Sequence, residues 1–530
     1  MTVADHIADQ LFNAGVRRVF GIPGGPSIPY LEAFRRAGIE FILVSDEASA
    51  GVMADVSARL SGIPGVCHAT FGPGATNIST GIGGALLDRS PVIVLTSEVS
   101  DLMAGRTAQM NINHQKLFEP LTKATFRISA GNAHNVIDSA LTICRKEYPG
   151  PVHIGLPSDI AYQEIIPSAL KPSYQEKRIH INDADVIAGL LGRSERPLIA
   201  VGLTSKRMTV GDDLVSFLEK NRIPVILTPM AKGIIAEEHP CYAGVLFHAL
   251  SDRLNDLYTR CDLVIGLGYD QVEYNYESWL PGVPLVHFDT KECDLPDREN
   301  IFRYTGPPQE WFSLLNKHCH GSYAHGRDAI KKIRDEMSSV FDGLSSHFGP
   351  VSAMKVLREE LPLNSILTAD VGSHLHLLGQ YWETGAGGQI IMSNGWSGMG
   401  FGLPAAIAAC MSRPGSAVTC VTGDGGFLMK AGEMVTARRY GLSLIVVVLS
   451  DGELNLIKLK QTWKGIPADG SLIYEGDLFG SDTFLGTEVL RADSAESMSA
   501  SVRKALSMKK PVIINAIIDP ADYNKLIVKQ

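Results

Sequence analysis

Short apolar runs alternate with amphipathic stretches along most of the chain, and each run ends on glycine or a small polar residue. VRRVFGI, FILVS and PVIVLTSE (91–98) read as strands, as does the segment opened by Gly150 and Pro151 in PGPVHIGLPSDI. The uninterrupted runs suit strands buried on both faces of a parallel sheet. Between them, ASAGVMADVSARL reads as a small-residue helix. MTVADHIADQLFNAG reads as an amphipathic helix with Val3, Ile7, Leu11 and Phe12 on one side. The grammar recurs in PLIAVG, PVILTP, LVIGLG and PLVHFD. After a charged helical linker, HGRDAIKKIRDEMSSVF, it recurs again in LIVVVL (444–449) and in a final strand within KKPVIINAIID (509–519). This alternation predicts an α/β chain of three consecutive doubly wound domains with parallel sheets, over residues 1–165, 180–325 and 345–530. A polar connector, SALKPSYQEKR, follows the first domain. The two outer domains share the order strand, glycine turn, helix, which suggests an old duplication.

Composition narrows the class. At 530 residues the chain exceeds the ~250–300 residues that one core usually serves, so about three domains are expected. A formal charge of −9 disfavours a nucleic-acid partner. Eight cysteines without CxxC spacing argue for a reducing cytoplasm and against zinc. Nothing reads as a signal peptide or a transmembrane span, so a cytoplasmic protein with no membrane partner is expected.

The candidate chemistry lies between Gly423 and Gln461. GDGGF (423–427) carries Asp424 on a glycine turn, and Asp451 follows the run LIVVVL on a second one, SDGELNLIKLKQ. Mg²⁺ takes hard oxygen ligands, usually one or two carboxylates together with phosphate oxygens and water. Gly423, Gly425 and Gly426 would let the main chain approach a phosphate at the N-terminus of the following helix. Phe427, Leu428, Met434, Val435 and Ala437 give that helix an apolar face, and Arg438 and Arg439 suit its C-terminal end. Asp-Gly is also the commonest turn dipeptide, so either aspartate alone would mark only a loop. The ordered pair points to a metal site holding a diphosphate.

With these residues in place the chain resembles the thiamine diphosphate enzymes, most closely the acetolactate synthase and 2-oxo acid decarboxylase group. Three further segments match in order: FGIPGG (20–25, with Pro23) followed by SDEASAG (45–51), then ATFGPGATN (69–77), then ADVGSHLHLL (369–378) with NGWSGMGFGLPAA (394–406). The resemblance implies that Glu47 hydrogen-bonds the cofactor's pyrimidine N1′ and promotes the imino form that deprotonates the thiazolium C2. It implies that the Pro73–Gly74 turn packs beside the pyrimidine, where Asn77 either bonds the cofactor or caps the next helix. Gly372 and His374 are implied near the diphosphate, the Ser397 carbonyl as acceptor for the 4′-amino group, and Met399 as the wedge that bends the cofactor. Asp424, Asp451 and the main-chain carbonyl of Glu453 would hold Mg²⁺. Where the family usually has consecutive asparagines, this chain has Ser450 and Asp451. Two carboxylates would grip the metal harder and repel the diphosphate more.

The resemblance also implies a reaction. A 2-oxo acid such as pyruvate would lose CO₂ and the acyl carbanion would pass to an acceptor carbonyl. Simple decarboxylases of the group protonate instead, using paired histidines and a glutamate shortly after the metal loop. Ile457 stands at that glutamate's place, and residues 100–120 hold His114 but no His-His pair, which leans towards carboligation. Gln109, in TAQMNINHQKLFEP, is a candidate acceptor-side residue or a solvated loop glutamine. The alternatives are a non-oxidative decarboxylase or C–C lyase, and a catalytically inactive homologue acting as a binding subunit. Relatives build each site from two subunits, so a homodimer or homotetramer is expected. Gly202, Gly266 and Gly268 follow strands in the middle domain, as a nucleotide site would require, and leave FAD open.

Overall fold

Each apolar run that precedes a glycine turn lies in one of three sheets. The computed structural model describes residues 1–166, 184–273, 282–320, 325–384 and 389–527, apart from 293 and 297. The connector SALKPSYQEKR lies outside them. The first sheet holds β1 (Arg18–Ile22), β2 (Glu40–Leu43), β3 (Gly65–Ala69), β4 (Val92–Glu98), β5 (Ala124–Arg127) and β6 (Val152–Pro157), in the order β2-β1-β3-β4-β6-β5. The second holds β7 (Pro197–Val201), β8 (Val225–Leu227), β9 (Tyr242–Val245), β10 (Leu263–Leu267), β11 (Leu285–Asp289) and β12 (Ile301–Thr305), in the order β12-β11-β10-β7-β8-β9. The third holds β13 (Ile366–Ala369), β14 (Gln389–Ile391), β15 (Val418–Gly423), β16 (Leu444–Ser450), β17 (Thr483–Phe484), β18 (Thr487–Ala492) and β19 (Val512–Ile517), in the order β14-β13-β15-β16-β19-β18-β17.

Among the described strands every pairing is parallel, as expected, except the short antiparallel β17–β18 edge. The buried runs explain the parallel pairing: every residue of β4, β6 and β16 is covered on both faces. The first and third sheets share one strand order once the extra β17 is set aside, and the second follows the dinucleotide-binding order.

Helices cover both faces and tie the outer domains together. The helix Glu47–Ser61 starts where Asp46 accepts the Ala48 N–H at 2.6 Å and the Ser49 N–H at 3.3 Å. It crosses the helix Pro73–Leu87 so closely that a Cβ on Gly51 would stand 2.8 Å from the Gly81 Cα. These two helices and the helix Gly402–Ser412 of the third domain share one apolar cluster that includes Ala50, Ala54, Ile78, Ala405 and Ala409. A second cluster joins the middle and third domains through Leu254, Ile330, Met354 and Leu378.

The charged stretch HGRDAIKKIRDEMSSVF lies in the helix His325–Leu344, as expected, and Ile330, Ile333, Met337 and Phe341 are buried on it. One expectation changes. The stretch after GDGGF forms two helices, Asp424–Lys430 and Glu433–Arg439. Phe427, Met434 and Ala437 are buried there, while Leu428 and Val435 are 42% and 36% exposed. A break at residues 431–432 turns the second helix, so the five apolar positions do not share one face.

Candidate active site

The third sheet builds the polar centre. β15 and β16 run side by side with Gly423 paired to Leu449, so Asp424 and Asp451 leave adjacent strands at the same carboxyl edge. Asp424 Oδ1 accepts the Gly425 N–H at 2.7 Å. Its Oδ2 accepts N–H groups from Gly452 at 2.7 Å and Asp451 at 3.2 Å, and the Tyr474 hydroxyl at 3.1 Å. Asp451 Oδ1 accepts the Glu453 N–H at 3.1 Å. Burial raises both carboxyl groups. Asp451 is pushed up to about 7, first by burial and then by the negative charge of Asp424. A buried acid and a half-buried one side by side favour a cation.

Tyr474 was not legible in the sequence as part of this centre. It rides a strap that pairs with the loop after β16: Leu454 donates to the Ser471 carbonyl at 2.6 Å and Ile473 to the Gly452 carbonyl at 2.8 Å. That ladder is made by the residues flanking Glu453. Asp370 was also missed. It is buried at the end of β13 and accepts the N–H groups of Val371, Gly400 and Phe401 and the Thr422 hydroxyl, at 2.7, 2.9, 3.2 and 2.9 Å. Those bonds fix the turn just after Met399. The methyl of Met399 would stand 3.2 Å from a Cβ on Gly425, so the two residues are packed closely against each other. Ser397 is exposed and held left-handed at φ +52, its hydroxyl donating to the Asn394 carbonyl at 2.8 Å.

His374 lies in the helix Ser373–Tyr381 that follows Gly372. Its ring would touch Cβ atoms on Gly372 and Gly423, at 2.9 and 3.5 Å. Burial lowers it to about 4, and its Nε2 is buried without a hydrogen-bond partner among the described residues. A neutral imidazole and a row of glycines thus flank the two aspartates, and Gly426 packs on Asp370. Mg²⁺ and a diphosphate fit this donor set: two carboxylates for the metal, and an unpaired imidazole nitrogen and close backbone for the phosphates.

The first sheet supplies a separate group. Asn77 Nδ2 donates to Glu47 Oε2 at 2.6 Å, and a Cβ on Gly74 would stand 3.3 Å from Glu47 Oε1. Pro73 opens that helix and is exposed, as is Asn77. Pro23 precedes Gly24, which packs against Thr70 at the start of the same turn. Lys430, from the helix that begins with Asp424, donates to Asp46 at 2.8 Å, and Glu433 accepts the Ser45 N–H at 3.0 Å. Gln109 sits in an exposed turn and touches none of these groups, although its neighbour Met110 lies over Gly72. Gln115, six residues on, is the glutamine that reaches a buried carboxylate, donating to Glu98 at 2.5 Å.

The middle sheet offers an occupied edge. At the turn after β7, where a dinucleotide's diphosphate would take helix N–H groups, the Leu203 N–H already donates to Glu273 Oε2 at 3.1 Å. Glu273 also accepts from Thr228 Oγ1 and the Met230 N–H, at 2.7 and 2.8 Å. A Cβ on Gly202 would meet the Gly268 carbonyl at 2.5 Å, so the two turns already touch. The backbone donor that a diphosphate would take at this turn is thus engaged by Glu273. Asp270 at this edge is paired with Arg89 of the first domain at 2.7 and 3.0 Å.

Fold and site together define a cofactor enzyme, and comparison with known sequences fixes the class. Residues 1–117, 184–302 and 370–516 match, in turn, the family descriptions "Thiamine pyrophosphate enzyme, N-terminal TPP binding domain", "central domain" and "C-terminal TPP binding domain". The chain belongs to the thiamine pyrophosphate enzymes, in the group that contains the acetolactate synthases. It is 30% identical to the "Probable acetolactate synthase large subunit" of Methanocaldococcus jannaschii, over 98% of this chain and 93% of that one. It is 29% identical to "Acetolactate synthase isozyme 2 large subunit" of Escherichia coli, over 86% and 84%, and 26% identical to "Acetolactate synthase" of Bacillus subtilis, over 98% and 93%. Among the described residues no helix is long and apolar enough to cross a membrane.

Proposed function

We propose that this chain is a Mg²⁺-dependent carboligase, which decarboxylates a 2-oxo acid of the pyruvate class and joins the remaining acyl unit to an acceptor carbonyl. The bond to the carboxylate breaks and leaves as CO₂. A new carbon–carbon bond forms to the acceptor carbon, whose oxygen takes up one proton. The observation that carries this reading is the approach of Asp424 and Asp451 at one sheet edge, in a chain similar along nearly its whole length to proteins named acetolactate synthases.

When bound, thiamine diphosphate would supply the carbon nucleophile and the electron sink. Asp424, Asp451 and the Glu453 carbonyl would hold the metal, and Gly372, His374, Gly423, Gly425 and Gly426 would accommodate the diphosphate. Met399 would support the bent cofactor and the Ser397 carbonyl would receive its amino group. Glu47, steadied by Asn77, would share a proton with the pyrimidine N1′, with Pro23 and Pro73 walling that end. The domain limits read as 1–165 for the pyrimidine side, 180–325 for the centre and 345–530 for the diphosphate side.

Ligation is favoured over protonation because the helix Asn455–Trp463, NLIKLKQTW, contains no carboxylic acid, and Ile457 is 45% exposed on it. The occupied edge of the middle sheet supports a flavin-free protein. Leu428, Met429 and Val435, exposed apolar residues on the helices Asp424–Lys430 and Glu433–Arg439, would be contacts for a second copy of the chain.

The test is product analysis after incubating pyruvate with the chain, thiamine diphosphate and Mg²⁺. The expected products are CO₂ and a coupled hydroxy-oxo acid, detected by mass spectrometry. Acetaldehyde alone would establish the decarboxylase reading, and no turnover would establish an inactive homologue.

A further inference from the structure

Behind the turn that opens the helix Pro73–Leu87 runs a line of buried polar groups that the proposed chemistry leaves unused. The Gly72 N–H donates to His114 Nε2 at 3.3 Å, and His114 Nδ1 lies 2.8 Å from Thr96 Oγ1. Thr96 Oγ1 lies 2.7 Å from His153 Nε2, and His153 Nδ1 lies 2.7 Å from Thr125 Oγ1. Thr96 and His153 are buried on β4 and β6, and His114 is buried at the start of the helix His114–Phe118.

The line has one possible polarity. An amide N–H only donates, so His114 Nε2 accepts, and a neutral ring must then carry its proton on Nδ1. Thr96 receives that proton's bond and has a single proton of its own, which goes to His153 Nε2. His153 therefore carries its proton on Nδ1 and donates to Thr125. Burial keeps both rings neutral, lowering His114 to about 4 and His153 well below its ordinary value. The charged groups facing the line are Glu98, whose Oε1 stands 4.0 Å from His114 Nδ1, and beyond it Arg127 and Asp101. Glu98 is already engaged by Gln115 and Arg127, and Phe118 stacks on His153 with ring centroids 4.3 Å apart.

The Gly72 end explains what the line does. Gly72 sits at φ +66 and ψ −113, a conformation that L side chains rarely adopt. The helix it introduces carries Gly74 and Asn77 against Glu47. We propose that His114 is a positioning residue: through a hydrogen-bond chain that runs donor to acceptor from Gly72 to Thr125 it holds the turn that presents Asn77 to Glu47. This rests on the reading of Glu47 as the group that meets the cofactor's pyrimidine. The ligand atoms of Glu98, His114 and His153 lie within 4.8 Å of one another, as a metal site would need. The Thr96 oxygen already bridges the two rings, however, and the His114 nitrogen facing it carries a proton.

The test compares Thr96→Val, His114→Phe, His114→Gln and Thr125→Val with the wild-type chain in the presence of Mg²⁺. It reads the thiamine diphosphate dissociation constant by circular dichroism, the thermal midpoint, bound zinc, and the imidazole ¹⁵N spectrum. Thr96→Val and His114→Phe are expected to raise the dissociation constant roughly tenfold, the size of one buried donor left unpaired. His114→Gln, whose amide oxygen can accept from Gly72, is expected to recover most of the affinity. Thr125→Val, which leaves the far end of the line unpaired, is expected to lower the midpoint and to raise the dissociation constant less than Thr96→Val does. Lower midpoints with unchanged affinity in Thr96→Val and His114→Phe would overturn the proposal, as would zinc retained by the wild type and lost from His114→Phe. Failure of the cofactor reading shows separately, as no thiamine diphosphate response in the wild type. There the ¹⁵N spectrum still decides: protons on Nδ1 of both rings support the chain, and a proton on His114 Nε2 overturns it.

Discussion

The first and third sheets share a strand order, yet they treat charge in opposite ways. In the first, a line of neutral imidazoles and hydroxyls satisfied by one another lies behind the site, the acid beside it, Glu98, is paired with Gln115 and Arg127, and Glu47 takes one amide partner. In the third, two acids crowd one buried edge and are satisfied mainly by backbone N–H groups, with one phenol added. Under the proposed function the same topology would provide a proton-handling end and a cation-holding end. The difference lies in which residues follow each strand, and the scaffold beneath is common to both.

If the two ends divide the work in this way, substitutions should separate catalysis from binding. The largest expected effect is from Glu47→Gln, which should lower kcat by roughly 10²–10⁴-fold while leaving thiamine diphosphate affinity nearly unchanged, as measured by steady-state kinetics beside a binding titration. At the other end, Tyr474→Phe should weaken Mg²⁺ binding by about 10–100-fold, because it removes a hydrogen bond that orients the ligand Asp424. Calorimetric titration of Mg²⁺ in the presence of cofactor checks it. An unchanged metal affinity would show that the strap Ser471–Tyr474 merely covers the site.

A smaller and signed effect is expected from Asp451→Asn. Removing one of two neighbouring negative charges should weaken Mg²⁺ and strengthen the diphosphate at saturating metal, by roughly severalfold each. Paired titrations of metal and cofactor would show whether the two shifts are opposite.

The middle sheet serves as a control, since its acids are internal. Asp289 has one buried carboxyl oxygen without a hydrogen-bond partner among the described residues, and burial pushes it up from 3.8 to about 7. A group raised on folding stabilises fully below its unfolded value, and that contribution is lost as pH rises to its folded one. Stability should therefore fall between about pH 4 and pH 7, by up to ~1.4 kcal/mol per pH unit. Asp289→Asn should flatten this slope in urea unfolding curves recorded across that window.

How legible each region was follows from how local its signal is. β16 was readable because LIVVVL is apolar on both faces, and Asp424 and Asp451 were readable because each follows such a strand on a glycine turn. β5, β9 and β12 escaped because they are short edge or near-edge strands without a long apolar run. Tyr474 could not be read, since KGIPADGSLIYEGDLFGSD has no strand or helix period and meets Asp424 only through its pairing with residues 452–454. Asp370 carried a faint signal, one acid between a strand and Gly372. Thr96, His114 and His153 lie on three separate segments, and only the folded sheet brings them into line. Phe427, Leu428, Met434, Val435 and Ala437 misled because the period is correct within each short helix and broken between them.

The central claim is that Asp424 and Asp451 converge on a divalent cation. Anomalous diffraction from crystals grown with Mn²⁺ and thiamine diphosphate tests it most directly. The account predicts one strong peak within about 2.0–2.2 Å of a carboxylate oxygen of each aspartate, on the diphosphate side. Bound cofactor with the peak elsewhere, or with no peak, would contradict it.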